Sequence, residues 1–238
     1  MKKGKVVWIT GGSSGIGKAC VKEFARNGYV VWATSRKIEM LNELKESLKS
    51  EGIDISVRLC DVSILDQVQE TAEEILRVNG RIDCLINAAG VSSFNRAESD
   101  SFETIRGIIE TNLFGSIFTI KSVLPTMKQQ GGGTIINILS IVNRKIFTNS
   151  SAYAASKQGL QGYTESLREE VRRDKIRIVN VYPGATETSI WTNSVRQKFS
   201  DRMMQPEEVA KAILWSYKDE GNLVVEDLIM RPELGDLP

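Results

Sequence analysis

Tyr153 and Lys157 lie four residues apart in a segment with helical periodicity, which places both side chains on one helix face. An ammonium beside a phenol favours the phenolate, so this pair is expected to draw the tyrosine pKa down from its ordinary value of about 10. Tyr153 is therefore a candidate general acid/base for interconverting an alcohol and a carbonyl. The chain has no histidine, which excludes a Ser-His-Asp triad and histidine-ligated zinc and leaves proton chemistry to Tyr, Lys, Asp, Glu or Cys. Cys20, Cys60 and Cys84 are widely spaced, form no Cys-x-x-Cys pair and read as buried thiols, so no metal site is expected. On spacing alone, Tyr153 and Lys157 are also what an ordinary surface pair on a helix looks like.

A second group of residues suits a phosphate. Thr10-Gly11-Gly12-Ser13-Ser14-Gly15-Ile16-Gly17 follows directly on a β-branched run and opens a helical segment. Gly11 can make the tight turn, Gly15 lets backbone approach a phosphate, and Gly17 lets the helix pack close to the strand. A pyrophosphate would meet free N–H groups and the positive helix end, with Ser13, Ser14 and Ile16 in the same cradle. The dinucleotide fold places the reader of the adenosine ribose at the end of the second strand, where an acid would select NAD. This chain has Ser35 and Arg36 there, with no carboxylate at the tip. A guanidinium can pair with a 2′-phosphate, with Ser35 and Ser13 adding neutral hydrogen bonds, so NADP(H) is the expected cofactor. The plain alternative is a solvated arginine in a loop.

The elements that must position these residues read as alternating strands and helices. Short apolar or β-branched runs at Val6–Thr10, Val30–Ser35, Ile55–Cys60, Ile82–Asn87, Thr134–Leu139, Ile176–Tyr182 and Leu223–Ile229 predict seven strands. Helical periodicity fills 15–27, 37–50, 64–78, 102–128, 151–173 and 207–218. Gly28, Gly52, Gly80 and the Gly131 to Gly133 run follow four of these helices, where a left-handed stop is usual. Most strands lack apolar/polar alternation, as expected when helices cover both sheet faces. The predicted fold class is α/β, a single doubly wound Rossmann domain over residues 1–238 with about seven parallel strands and helices on both faces. Residues 188–205 mix aromatic, methionine and cationic side chains and read as a flap over a substrate.

Composition narrows the class of partner. With 31 Lys plus Arg against 30 Asp plus Glu, no overall field favours nucleic acid or an anionic membrane surface. The opening apolar run, Val6 to Ile9, is too short for a signal-peptide core, and no run reaches the about eighteen apolar residues of a membrane span. A cytoplasmic protein with no membrane or nucleic-acid partner is expected.

Taken together, the motifs resemble those of the short-chain dehydrogenase/reductase family over essentially the whole chain. The matching elements are Thr10-Gly11-x-x-x-Gly15-x-Gly17, Asp61-Val62, Asn87-Ala88-Ala89-Gly90, Asn112, Ser140, Tyr153-x-x-x-Lys157 and Pro183-Gly184, in family order, with thirteen residues from Ser140 to Tyr153. The resemblance implies that Tyr153 gives or takes the proton, while Lys157 lowers its pKa and holds the nicotinamide ribose. It implies that Ser140 hydrogen-bonds the substrate oxygen and that Asn112 holds a water in a relay to solvent. Asp61 and Val62 would meet the adenine, Asn87, Ala88 and Gly90 the adenosine side, and Pro183, Gly184, Thr186 and Thr188 the nicotinamide. Ala88 departs from relatives with a second asparagine there, although alanine is also frequent. By the same resemblance the small-molecule substrate is a carbonyl or a secondary or primary alcohol, and the protein is a homodimer or homotetramer built on segments 102–128 and 151–173. The short tail from Asn222 to Pro238 is similar to that of members acting on small hydroxy acids or general carbonyls.

Two other classes stay open: an NADP-binding sensor on the same fold, and an isomerase or epimerase that borrows a hydride and returns it. The Asn-Ser-Tyr-Lys set argues against the first, and the glycine spacing and chain length against the second. Arg144, Lys145, Arg196, Lys198 and Arg202 could receive a substrate carboxylate or simply be solvated, and Trp191 and Phe199 could line an apolar pocket.

Overall fold

Val6–Thr10 forms strand β1 and is buried at every position, so it presents side chains to a core on each face. Val7 and Ile9 enter one core, with Phe24, Leu41 and Ile213, while Val6 and Trp8 enter the other, with Val68, Ile75 and Ile120. This is the pattern of a parallel sheet covered on both sides. The computed structural model describes residues 4–218 and 223–237; the first three residues, Asn222 at the start of the predicted tail and Pro238 lie outside them.

The chain then runs α1 (Gly15–Arg26), β2 (Val30–Ser35), α2 (Ile38–Lys49), β3 (Ser56–Leu59), α3 (Leu65–Asn79) and β4 (Cys84–Asn87). It continues through α4 (Phe102–Ile109), α5 (Gly115–Gln129), β5 (Gly133–Ile138), α6 (Ser151–Val171), β6 (Ile176–Pro183), α7 (Asn193–Phe199), α8 (Pro206–Lys218) and β7 (Asp227–Met230). All seven strands are parallel in the order β3-β2-β1-β4-β5-β6-β7. The predicted sheet and its helical cover are therefore present. From β3 the chain crosses back to lay β4 beside β1, so the winding reverses between β1 and β4. A doubly wound sheet opens its ligand crevice at that point, beyond the carboxyl ends of the strands. Thr10 pins the crevice: its hydroxyl accepts the main-chain N–H groups of Ala88 and Ala89 at 3.1 and 3.2 Å.

Three elements differ from expectation. The helix predicted over 102–128 is interrupted by a π turn, Glu110–Phe114. The cause is tertiary: Asn112 is bound to the main chain of Val91, and Gly115 passes so close to Val62 that a Cβ would lie 2.6 Å from its side chain. Strand β7 begins at Asp227 rather than 223, because it is an edge strand that, among the described residues, pairs only with Asn180–Pro183 at the end of β6. Residues 188–205 contain helix α7, whose first turn is capped by the Thr192 hydroxyl accepting from the Val195 N–H at 3.4 Å.

Gly80 shows how the sequence stops a helix. It caps α3 with φ 75° and ψ 4°, and nothing lies within 4 Å of where a Cβ would sit. Gly80→Ala therefore tests backbone strain alone, which costs about 1 kcal/mol for a left-handed alanine. Thermal unfolding should fall by about 2–4 °C; an unchanged midpoint would show that the loop relaxes out of the left-handed region.

Candidate active site

Helix α6 starts one residue after Ser150 and carries Tyr153 in its first turn and Lys157 in its second, both buried. Lys157 Nζ donates to the Ile138 carbonyl at 2.7 Å, which ties the ammonium to the end of β5. Two residues further on, Ser140 is extended and caps a short 3₁₀ turn: its Oγ accepts from the Val142 N–H at 3.3 Å. Its own N–H donates to Asn143 Oδ1 at 3.2 Å, and its hydroxyl hydrogen-bonds Tyr153. Ser140, Tyr153 and Lys157 thus meet beyond the carboxyl end of β5 because a strand end and a helix start converge there.

Burial sets the protonation of this pair. It pushes the Tyr153 phenol up to about 12, against a lowering by the Ser140 hydrogen bond, and pulls Lys157 down to about 8. The sequence-based expectation of a tyrosine lowered by its lysine is thus reversed. Desolvation of the phenolate outweighs an ammonium centred 5.7 Å from the ring.

These residues form one part of a cleft of about 720 Å³. The glycine loop forms another, and its atoms leave no room for larger residues. A Cβ on Gly17 would sit 2.3 Å from the Gly11 carbonyl oxygen, and Gly15 has φ +51° with Thr188 at 3.0 Å. Ser14, at the N-cap of α1, makes no side-chain cap, so the first amides of the helix are left for another acceptor. Ser13 and Ser35 share a hydrogen bond of 2.7 Å at the tip of β2, and Arg36 projects beyond them, its side chain 57% exposed. Among the described residues its one ion pair is long, 3.7 Å to Asp61 Oδ2. A close backbone approach, free helix amides and a loosely held guanidinium fit a dinucleotide with a phosphorylated adenosine ribose.

Among the other residues expected to hold cofactor, Ile16, Val62, Ala88, Gly90, Pro183, Gly184, Thr186 and Thr188 line the same cleft. Asp61 lines it too, while Asp61 Oδ1 caps its own turn by accepting from the Ser63 N–H at 3.0 Å. Asn87 and Asn112 do not line it. The Asn87 amide turns into the sheet, donating to Asn137 Oδ1 at 3.0 Å, and Asn137 donates to Asn180 Oδ1 at 3.3 Å. These three occupy paired positions on β4, β5 and β6, flanked by the hydroxyls of Thr119 and Thr164. The Asn112 carboxamide clamps the Val91 main chain, with 2.8 Å bonds to its N–H and its carbonyl, and reaches Ser156 Oγ at 2.9 Å.

The five cations weighed as carboxylate receivers are engaged elsewhere. Arg144 pairs with Asp227 at 2.6 Å and covers the Tyr182 ring, Lys145 pairs with Asp236 at 2.9 Å, and Arg196 pairs with Glu187 at 2.8 Å. Arg202 bonds the Asp236 carbonyl at 3.3 Å and Lys198 lies over the Phe199 ring. None of the five lines the cleft, nor does Phe199. Trp191 does: it stacks on Phe94 at 5.0 Å, and Phe94 meets the Tyr153 ring edge-on at 6.2 Å. Sequence reading missed Lys37, Phe94 and the tail residues Asp236 and Leu237 as lining residues. Lys37 could have been suspected as a second cation after β2; the tail residues carry no local signal. Among the described residues no group of metal-ligating side chains occurs, the three cysteines are buried and free, and no helix is long and apolar enough to cross a membrane.

The profile of the short chain dehydrogenase family matches residues 5–198. The chain is similar to the sepiapterin reductase of Chlorobaculum tepidum, 33% identical over 98% of each chain. It is also similar to carbonyl reductase family member 4 of Xenopus tropicalis, 37% identical over 89% of this chain and 90% of that one. Among solved structures, an alcohol dehydrogenase from the archaeon Thermococcus sibiricus, complexed with 5-hydroxy-NADP, superposes with a TM-score of 0.89 at 27% identity, over 98% of this chain and 99% of its own. With that match, these relatives and the parallel sheet that carries the cleft, the chain belongs to the short-chain dehydrogenase family of oxidoreductases.

Proposed function

We propose that the protein is an NADP(H)-dependent carbonyl reductase that interconverts a carbonyl and its alcohol, with Tyr153 as the general acid/base. The observation that carries this reading is the single cleft shared by the Ser140, Tyr153 and Lys157 cluster and the glycine cradle with Arg36. The reductase names of the relatives and the NADP derivative in the structural neighbour support it. Bound there, the nicotinamide would supply the hydride in reduction and accept it in oxidation.

The chain's own groups handle the proton. A phenol at about 12 is neutral at physiological pH and is therefore poised to donate to a carbonyl oxygen, which Ser140 would hold beside it. Lys157, with one N–H committed to Ile138, has two left for the ribose hydroxyls and keeps its charge below about pH 8. Asn112 fixes the Val91 main chain next to Gly90 and would hold the relay water behind the lysine. Measuring NADPH and NADH consumption with a panel of aldehydes, ketones, sugars and steroids tests the reading. Oxidation of NADPH by at least one carbonyl is expected; consumption of neither cofactor across the panel would overturn it.

The protonation states give a signed pH dependence. Alcohol oxidation needs the phenolate, whose fraction grows with pH below a pKa of about 12, so oxidation should climb from pH 7 to 10. Above about pH 8 the climb should flatten, because Lys157 loses the charge that helps the phenolate. Lys157→Met should shift the profile to higher pH and remove the break. Initial rates at saturating alcohol decide this, and an identical profile in the variant would mean that the lysine does not act on the tyrosine.

A further inference from the structure

Helix α6 carries more than its acid/base pair. Tyr153, Lys157, Gln161 and Glu165 follow one another at intervals of four and form one stripe along the helix. The first two line the cleft, whereas Gln161 meets the 3₁₀ turn Ile141–Asn143 that follows Ser140. Gln161 Oε1 accepts from Asn143 Nδ2 at 3.0 Å, and Asn143 Oδ1 accepts the Ser140 N–H at 3.2 Å. The Asn143 N–H closes the turn on the Ser140 carbonyl at 3.1 Å. At the far end of the row, Gln161 Nε2 donates to Glu165 Oε1 at 2.7 Å. Neither Asn143 nor Gln161 lines the cleft.

A carboxamide can face either way, but both ends of this row demand the same orientation. The Glu165 carboxylate only accepts, so Gln161 turns its NH₂ group toward it and its oxygen toward Asn143. The Ser140 N–H only donates, so Asn143 turns its oxygen there and its NH₂ group toward Gln161. Strand β5 ends at Ile138, so the sheet ladder does not hold the Ser140 N–H; Asn143 does. We propose that Asn143, oriented by Gln161, is a positioning residue that fixes Ser140 to the helix carrying Tyr153, so that both hydroxyls face one substrate oxygen. This rests on the reductase reading above, in which Ser140 holds that oxygen. Without Asn143 the Ser140 N–H is a donor without its partner, and the backbone that aims the hydroxyl is free to shift.

The test reads two signals: kcat with NADPH and a ketone that the parent reduces, and hydrogen exchange of the Ser140 amide by NMR. Asn143→Ala should lower kcat about tenfold, as a small misplacement of a positioned group allows. It should speed exchange at Ser140 about tenfold, the effect of losing one hydrogen bond. Gln161→Met keeps the length of the side chain without its polar atoms and should move both signals the same way by less. Added to Asn143→Ala, it should cost less than about twofold more, because it acts through Asn143. In a Ser140→Ala background, Asn143→Ala should likewise cost less than about twofold more. NADPH affinity should stay within about twofold in the Asn143 and Gln161 variants, which shows that each is folded. A full tenfold further loss in the Ser140→Ala background, or a Ser140 amide whose exchange Asn143→Ala leaves unchanged, would overturn the proposal. Should Asn143→Ala not fold, an unmoved Ser140 amide in Gln161→Met overturns it equally. If the parent reduces no ketone while the Ser140 amide responds to both variants, the reductase reading fails and the anchoring of Ser140 stands.

Discussion

Tyr153→Phe should bind NADPH as the parent does and lose nearly all turnover. The substitution removes one oxygen from a buried ring whose other contacts are the edge of Phe94 and the ammonium of Lys157, so the cleft keeps its shape. What disappears is the proton donor and the partner of the Ser140 hydroxyl. A positioned acid/base group contributes about 10²–10⁴-fold, so kcat for carbonyl reduction should fall by that factor. The dissociation constant for NADPH, from tryptophan quenching, should change less than about twofold, because the Tyr153 ring, the glycine cradle, Lys157 and Arg36 all stay in the cleft. A variant that reduces the same carbonyl at the parent rate would remove Tyr153 from the chemistry.

Arg36→Ala should separate the two nicotinamide cofactors. The guanidinium is exposed and, among the described residues, held only by a 3.7 Å pair with Asp61, so removing it costs the fold little. A hydrogen bond to a charged group contributes about 1.5–3 kcal/mol, and NADPH binding should weaken by roughly ten- to a hundredfold. NADH carries no 2′-phosphate and should bind the variant as it binds the parent. Ser35→Asp should go further: its carboxylate would lie beside Ser13 Oγ at the strand tip, repelling a phosphate and accepting from a ribose hydroxyl. Calorimetric titration of both variants with both cofactors reads the difference. Equal weakening of NADPH and NADH in Arg36→Ala would refute the 2′-phosphate assignment and leave the oxidoreductase family untouched.

The sequence made legible whatever depends on local rules. β1 lies over the residues its apolar run predicts, because nothing but sheet burial competes for Val6–Thr10. α6 brings Tyr153 and Lys157 to one face because helical spacing does so wherever the helix packs. The glycine loop could be read because a Cβ at Gly17 would strike the Gly11 carbonyl, and a constraint that tight leaves a pattern in residue type. The remainder depends on partners distant in sequence. Asn112 opens a π turn by binding Val91, twenty-one residues away, and Asp236 reaches the cleft through Lys145, ninety-one residues away. The direction of the Tyr153 shift was hidden for the same reason: the neighbouring charge is visible in the sequence, whereas the desolvation that outweighs it exists only once the helix has docked.

The row formed by Asn87, Asn137 and Asn180 bears on how the sheet assembles rather than on what it binds. Each carboxamide finds its neighbour only when β4, β5 and β6 align as Asn87↔Asn137↔Asn180. The adjoining positions on β5 are Ile136 and Ile138, so a slip by one residue would set an amide against an isoleucine inside a dry layer. Each amide stranded in that way costs about 1–3 kcal/mol, whereas slipped isoleucines alone would still find apolar company. The row therefore works as a checksum for strand pairing, penalising a misaligned sheet once the helices close over it and exclude water from the layer.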